Sequence, residues 1–271
     1  RPDVSISSFG NLTSQDVESL TKCDQVILPG ATMLDTKEHS FAPLLKGLSC
    51  KLIPIGVALS DQSKHDLDLD IARSISGLIG SRDPYTHKAL LEADLPSRFV
   101  GCSTLFLGGA KDWRKTGERV VCSLGIDRPS VFRECVNRLS QSKKLDIIQH
   151  VPKLERKFPT NENVTWHALN SLDQLERVYS SASVVVTGRL HGALPALAMG
   201  IPVVFATDHW DSRFTLLEWL GIESWSMDPE LICDKVDYIT DGHRTDFPLN
   251  RIREIKDGMK AFISETILWD S

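Results

Sequence analysis

Apolar positions along the chain follow two alternating rhythms. Short runs of Val, Ile and Leu are spaced by segments whose apolar residues recur every three or four places. The first rhythm suits strands covered on both faces, and the second suits helices with one buried stripe. Strands are predicted at Val4–Ser7, Gln25–Leu28, Leu52–Val57, Leu78–Ser81, Phe99–Val100 and Thr104–Leu107. They resume at Arg119–Leu124, Leu145–His150, Val164–Trp166, Ser183–Thr187 and Ile201–Phe205. Helices are predicted at Ser14–Lys22, Leu67–Ser76, Tyr85–Glu92, Ser130–Ser140, Ser171–Ser180, His191–Met199 and Ser212–Leu220, with a last amphipathic segment at Asn250–Leu268. Such alternation specifies an α/β protein built on parallel sheets.

The rhythm lapses at Gly108-Gly109-Ala110-Lys111-Asp112, where glycine and charge replace it. With 271 residues, the chain divides into two expected domains, 1–110 and 111–271, with a cleft between them. Ligands of open α/β sheets bind outside the carboxyl ends of the strands, where loops enter helix N-termini. Candidate chemistry is therefore sought in strand-to-helix loops.

Composition removes several function classes. Lys and Arg total 31 against 36 Asp and Glu, a net charge of -5, which disfavours a nucleic-acid binder held by phosphate contacts. The longest apolar run, Gly192 to Ala206, is broken by Pro195, Gly200 and Pro202 and reads as helix, turn and strand, not as a membrane span. Six cysteines, at 23, 50, 102, 122, 135 and 233, form no Cys-x-x-Cys and lie at no metal spacing from a His. No metal site is expected, and the expected setting is reduced and cytoplasmic, at most peripheral to a membrane. The acidic run Asp66 to Asp70 falls at a helix start, where the dipole favours it. No Gly-x-Ser-x-Gly, Walker loop or Gly-x-Gly-x-x-Gly occurs, so hydrolase, ATPase and ordinary dinucleotide readings lack support.

Thr187-Gly188-Arg189-Leu190-His191-Gly192 is the strongest loop, following an apolar strand and opening a helix. Gly188 and Gly192 let backbone approach a ligand, the helix N-terminus and Arg189 suit a phosphate or carboxylate, and His191 titrates near neutrality beside it. The plain alternative is that Arg189 pairs with a structural carboxylate and His191 caps the helix. The next strand-exit loop, Thr207 to Arg213, offers Arg213 for an anion and Trp210 for a sugar face, or else an N-cap at Asp211 or Ser212 and simple packing. Between Gly80 and Tyr85, Asp83 followed by Pro84 is a helix start that needs no function, whereas Arg82 at the strand end is left unexplained. Arg128 lies in the first loop of the second half, and His39 is a lone histidine downstream of Leu28-Pro29-Gly30.

Together these segments resemble the polysaccharide pyruvyl transferase family. The matching pieces are Val184 through Gly192, Ala196 through Val204, Ser81 through Tyr85, Gly101 through Phe106, and Val26 through Asp35. The Arg-Leu-His-Gly segment is the most specific. The resemblance implies two Rossmann-like domains facing across a cleft, the glycosyltransferase-B-type arrangement. It also implies transfer of a pyruvyl group from phosphoenolpyruvate onto two hydroxyls of a sugar or lipid-linked saccharide, giving a cyclic ketal without a cofactor. The family's Arg and His map to Arg189 and His191, and its Arg-Asp pair to Arg82 and Asp83. The family's first loop, Gly-Asn-x-Gly-Asp, is missing after Gly10-Asn11, so the N-terminal domain is expected to be truncated. On this reading Arg189, with Gly188, Leu190 and Gly192, holds one anion of the donor, and Arg82 or Arg213 holds the other. His191 is the acid or base, with His39 or His209 as its counterpart. Trp166, Trp210 and Trp225 are candidates for an acceptor groove. The alternatives are a nucleotide-sugar glycosyltransferase on the same fold and a non-catalytic relative that binds glycan or a partner.

Overall fold

The structure is a computed structural model that describes residues 14–30, 48, 50–59, 72–73, 75, 77–107, 117–123, 129–149, 161–207, 211–225, 228–243 and 246–267. The chain divides into two compact units. One comprises Arg1–Ser103, Asp211–Leu216 and Glu254–Ser271, and the other Thr104–Trp210 and Leu217–Arg253.

The first unit is organised by a strand that is apolar on both sides. β2, Lys51–Val57, is buried from Leu52 onward. It lies second in a parallel sheet of order β1-β2-β3-β4, with β1 at Gln25–Pro29, β3 at Ile79–Ser81 and β4 at Ser97–Phe99. Leu52 and Val57 join Leu20 of α1 (Ser14–Thr21), Val26, Leu28, Ile79 and Leu90 of α2 (Pro84–Glu92) in one core layer. Ile53 and Ile55 turn to the other face, where Met259 and Phe262 of the final helix (Leu249–Thr266) cover them. Burying each of those two side chains contributes about 1.5–3 kcal/mol, which explains why a segment this distant in sequence belongs to this unit. Polar contacts fix the same return. Arg98 pairs with Glu265 at 2.7 Å, and Ser212 Oγ donates to the Leu59 carbonyl at 3.1 Å.

The second unit carries a six-stranded parallel sheet of order β10-β9-β8-β5-β6-β7. Its strands are β5 (Arg119–Ser123), β6 (Lys144–Gln149), β7 (Val164–Ala168), β8 (Ala182–Thr187), β9 (Val203–Ala206) and β10 (Ser224–Trp225). Read from β5, this is the Rossmann order 3-2-1-4-5-6 reversed in direction. Alternate residues of β5, β6 and β8 pack against α3 (Pro129–Leu139) on one face, together with Ile232, Cys233, Val236 and Ile239 of the helix Pro229–Thr240. The opposite face, with Val121, Ile148 and Val185, meets Val178 and Tyr179 of α4 (Leu172–Ser180) and Ala196 of α5 (Leu190–Ala198). Asp146 on β6 is a buried carboxylate made tolerable by three partners: Arg119 Nε, His167 Nε2 at 2.7 Å and Ser181 Oγ at 3.3 Å. In chain order the later helices are α6 (Thr215–Leu220), α7 (Pro229–Thr240) and α8 (Leu249–Thr266).

Three elements differ from expectation, the first being the short strand β10 (Ser224–Trp225), which was not predicted. Thr104–Leu107 is not a strand, because Ser103–Phe106 closes a 3₁₀ turn that sinks only Leu105 into the core. A four-residue apolar run carries too little periodicity to separate these outcomes. Helix α7 was not anticipated, although Asp228 caps it by accepting from the Glu230 N–H and Pro229 stands at its first position. The strand expected at Val4–Ser7 and the joint at 108–112 lie outside the described residues, and the two units part between Ser103 and Thr104. No helix among the described residues is long and apolar enough to cross a membrane.

Candidate functional site

The strand order of the second unit singles out one place. β5 and β8 are neighbours, yet the chain leaves them toward opposite edges of the sheet, so their carboxyl ends flank the switch point where such sheets accept ligands. The loop Thr187-Gly188-Arg189 leaves β8 there and enters α5.

This loop is held from both sides. Thr187 Oγ1 donates to the Ser123 carbonyl at the end of β5 (2.7 Å) and accepts from the Arg189 N–H (3.1 Å). Tyr179 Oη donates to the Gly192 carbonyl at 2.9 Å. Packing accounts for the two glycines. A Cβ on Gly188 would come within 2.6 Å of the Ala206 carbonyl oxygen, and one on Gly192 within 2.4 Å of Thr187 Oγ1. Both therefore permit close approach within the protein itself.

Arg189 stands at the N-cap position of α5 with extended backbone, and its side chain makes no capping bond. The guanidinium is half-buried and has no hydrogen-bond or ion-pair partner among the described residues. No carboxylate of the described residues pairs with it. Leu190 is buried under the first turn, whereas His191 is exposed beside Arg189. A helix N-terminus without a side-chain cap adds partial positive charge to the same spot.

The first unit gathers a second set. Arg82 leaves β3 and donates its N–H to the Val57 carbonyl at 2.7 Å, while its side chain turns inward and is 4% exposed. Asp83 caps α2 through Oδ1, which accepts from the Thr86 N–H at 2.8 Å. Its Oδ2 lies 3.7 Å from Arg82 Nε, too far for a hydrogen bond. Arg82 Nε, Arg82 Nη2 and Asp83 Oδ2 are buried atoms without a hydrogen-bond partner. Asp211 caps the 3₁₀ turn Ser212–Phe214, in which Arg213 lies. The Asp211 carboxylate accepts from the Arg213 N–H (2.9 Å) and grips the Arg213 guanidinium through Nε (2.7 Å) and Nη2. Burial pulls the Arg82 guanidinium down against the counter-pull of Asp83, and burial pushes the Asp83 carboxyl up despite its bond from Thr86 and the charge of Arg82. For Asp211, burial acts upward, but the hydrogen bonds from Arg213 outweigh it and hold the carboxyl below its ordinary range.

The sequence-based candidates separate accordingly. Gly188, Arg189, Leu190, His191 and Gly192 are brought together in the second unit, and Arg82 and Arg213 in the first. His39, His209, Trp210 and Arg128 lie outside the described residues. Trp166 is partly buried against the apolar layer beneath α3 and α7, and Trp225 lies in β10. Asp211 was expected only as a cap. Its spacing two residues before an arginine at a helix start was the available signal, since one carboxylate there reaches both a backbone N–H and the guanidinium.

A family model described as polysaccharide pyruvyl transferase matches residues 1–209. Comparison with curated proteins gives no match. Among solved structures, the chain is similar to a Listeria monocytogenes protein assigned as a UDP-N-acetylglucosamine 2-epimerase, with 13% identity and a TM-score of 0.67 over 98% of this chain and 83% of that one. It is also similar to the UDP-GlcNAc 2-epimerase of Neisseria meningitidis, with 14% identity and a TM-score of 0.63 over 96% and 81% of the two chains. The UDP-GlcNAc 2-epimerase of Methanocaldococcus jannaschii gives 12% identity and a TM-score of 0.63 over 93% and 78%. At such identities the likeness shows the fold alone, the Rossmann-like class of the glycosyltransferase-B type that the sequence suggested.

Proposed function

The chain belongs to the polysaccharide pyruvyl transferase family, and from that premise we propose that it moves the enolpyruvyl-derived group of phosphoenolpyruvate onto two hydroxyls of one sugar, in a polysaccharide or its lipid-linked precursor. The observation that carries this reading is Arg189, a half-buried guanidinium with no protein partner among the described residues, at a helix N-terminus on the switch point of a Rossmann sheet. A cation so placed is poised for an oxyanion. In the first unit, considered by itself, Arg82 is another candidate anion anchor, a guanidinium with two unmade hydrogen bonds.

In this mechanism an acid protonates the methylene carbon of phosphoenolpyruvate, leaving a cation-like centre at C2. One sugar hydroxyl attacks C2 and gives up its proton. The C2–O bond to phosphate breaks with its electron pair, phosphate departs, and the second hydroxyl closes the ketal as its proton leaves. His191, exposed beside Arg189, is the acid that gives the first proton and recovers one from a hydroxyl. Arg189 and the α5 N-terminus stabilise the charge carried off by the leaving group.

The test is calorimetric binding of phosphoenolpyruvate, against a panel of UDP- and GDP-sugars, coupled to a phosphate-release assay with candidate acceptors. Arg189→Ala is expected to lose donor binding, and His191→Ala to bind the donor but not turn it over. Near-normal activity in both variants would sink the assignment. Binding of a nucleotide sugar alone would transfer the reading to a nucleotide-sugar enzyme on this fold.

A further inference from the structure

Buried polar atoms without partners are rare in folded proteins, and here three lie side by side. Arg82 Nε and Nη2 form the side-on edge of a guanidinium, the pair of donors that grips a carboxylate or phosphate through two parallel bonds. Arg213, in the same unit, shows that edge in use, closed on Asp211. The edge of Arg82 is not closed in this way, and its neighbour Asp83 keeps Oδ2 without a donor at 3.7 Å from Nε. A single guest that brings two acceptor oxygens for Arg82 and shares a proton with Asp83 answers all three atoms.

We propose that the Arg82–Asp83 pair is an oxyanion site that takes up one proton with its ligand, the proton lying between Asp83 Oδ2 and an oxygen of the bound phosphate or carboxylate. Asp83 is then part of the binding site as well as the cap of α2. The inference rests on the reading of Arg82 as an anion anchor, but not on the identity of the donor.

Charge supports the same conclusion. The groups that face the pair among the described residues are Asp211 and Arg213 from the 3₁₀ turn and Cys102 from the segment after β4. With both aspartates ionised, Arg82 and Arg213 are already balanced. A dianion entering that neutral, water-poor setting meets the Asp83 carboxylate directly, and protonating Asp83 removes the repulsion and creates a donor in one step. Burial already drives Asp83 in this direction before any anion arrives.

Sulfate is the probe of choice, since it stays doubly ionised through the neutral and mildly acidic range, so any proton taken up must go to the protein. Titration of the full chain with sulfate, by calorimetry in two buffers of different ionisation enthalpy, should find about one proton bound per anion. The affinity should fall about tenfold for each pH unit above the point where Asp83 ionises in the free protein. Asp83→Asn retains a capping oxygen and gains an N–H donor. That variant should bind sulfate with no proton uptake and a flat pH profile, and its thermal melt should report a folded protein. Arg82→Gln should weaken sulfate at least about tenfold, the worth of a charged bidentate contact. No sulfate binding by the wild type, pH-independent binding, or proton uptake that survives in Asp83→Asn would each overturn the proposal. Competition separates it from the donor assignment. If phosphoenolpyruvate fails to displace sulfate that binds with a proton, the proton-coupled site stands and the donor reading falls. If phosphoenolpyruvate binds with an uptake unchanged by Asp83→Asn, the proposal falls and the donor reading stands.

Discussion

Asp211 and Asp83 are both buried aspartates beside an arginine, yet burial pushes the Asp83 carboxyl up whereas the hydrogen bonds from Arg213 outweigh burial at Asp211 and hold its carboxyl down. Asp211 is held below its ordinary value of 3.8, so its ion pair stabilises the fold fully above that value and is lost as pH falls through the lower folded value. Asp211→Asn is therefore expected to cost about 1–3 kcal/mol at neutral pH and much less in acid below that window, a difference that urea unfolding at the two pH values would read. Gly192 makes a different demand. A methyl there meets Thr187 Oγ1, the atom that ties the loop to Ser123, so Gly192→Ala should destabilise the protein by about 1–3 kcal/mol and weaken donor binding with it. Equal donor affinity in a destabilised Gly192→Ala would show that the clasp serves stability alone. The strand-end positions of Arg189 and Arg82 were legible in the sequence because each follows an apolar run. Asp211 was not, since its capping role is common enough to hide its grip on Arg213.

At the level of elements, the strands of both sheets were readable because parallel strands covered on both faces must be apolar at nearly every position, as β2 and β8 are. The short elements were not. Thr104–Leu107 has a strand's composition but buries one residue in a 3₁₀ turn, and β10 is only Ser224–Trp225, below the length at which alternation has meaning. Helix α7 is a different case, for its signals were present: Asp228 and Pro229 mark the start, and Ile232, Cys233, Val236 and Ile239 repeat at helical spacing. Asp228→Ala should therefore cost about 1 kcal/mol through the lost bond to the Glu230 N–H, measurable as a shift in the denaturation midpoint with an unchanged slope. A shift no larger than that of an exposed control substitution would mean that packing under α3 and β8 alone secures the helix.

On the scale of the whole molecule, two units with separate cores imply unfolding that need not be a single transition. Phe262→Ala removes a fully buried ring from the layer over Ile53 and Ile55 and should cost about 3–5 kcal/mol. Amide hydrogen exchange should then quicken in β2 and β3 while β5 and β8 keep their protection. Uniform quickening in both sheets would contradict this. The first unit is also discontinuous in sequence, a property that left-to-right reading of hydrophobic pattern does not reveal, because nothing local marks Glu254 onward as belonging with residues before Ser103. That discontinuity has a temporal side. A ribosome that has finished Ser103 must add about 150 further residues before Glu254 emerges, which at usual speeds takes roughly 8–30 s. Throughout that interval one side of the nascent sheet, with Ile53, Ile55 and Val100, has none of the cover that Met259 and Phe262 later give it. Newly made chains thus pass through a stage in which they are candidates for chaperone capture or clumping, and codons that slow translation between the two segments would lengthen the exposure.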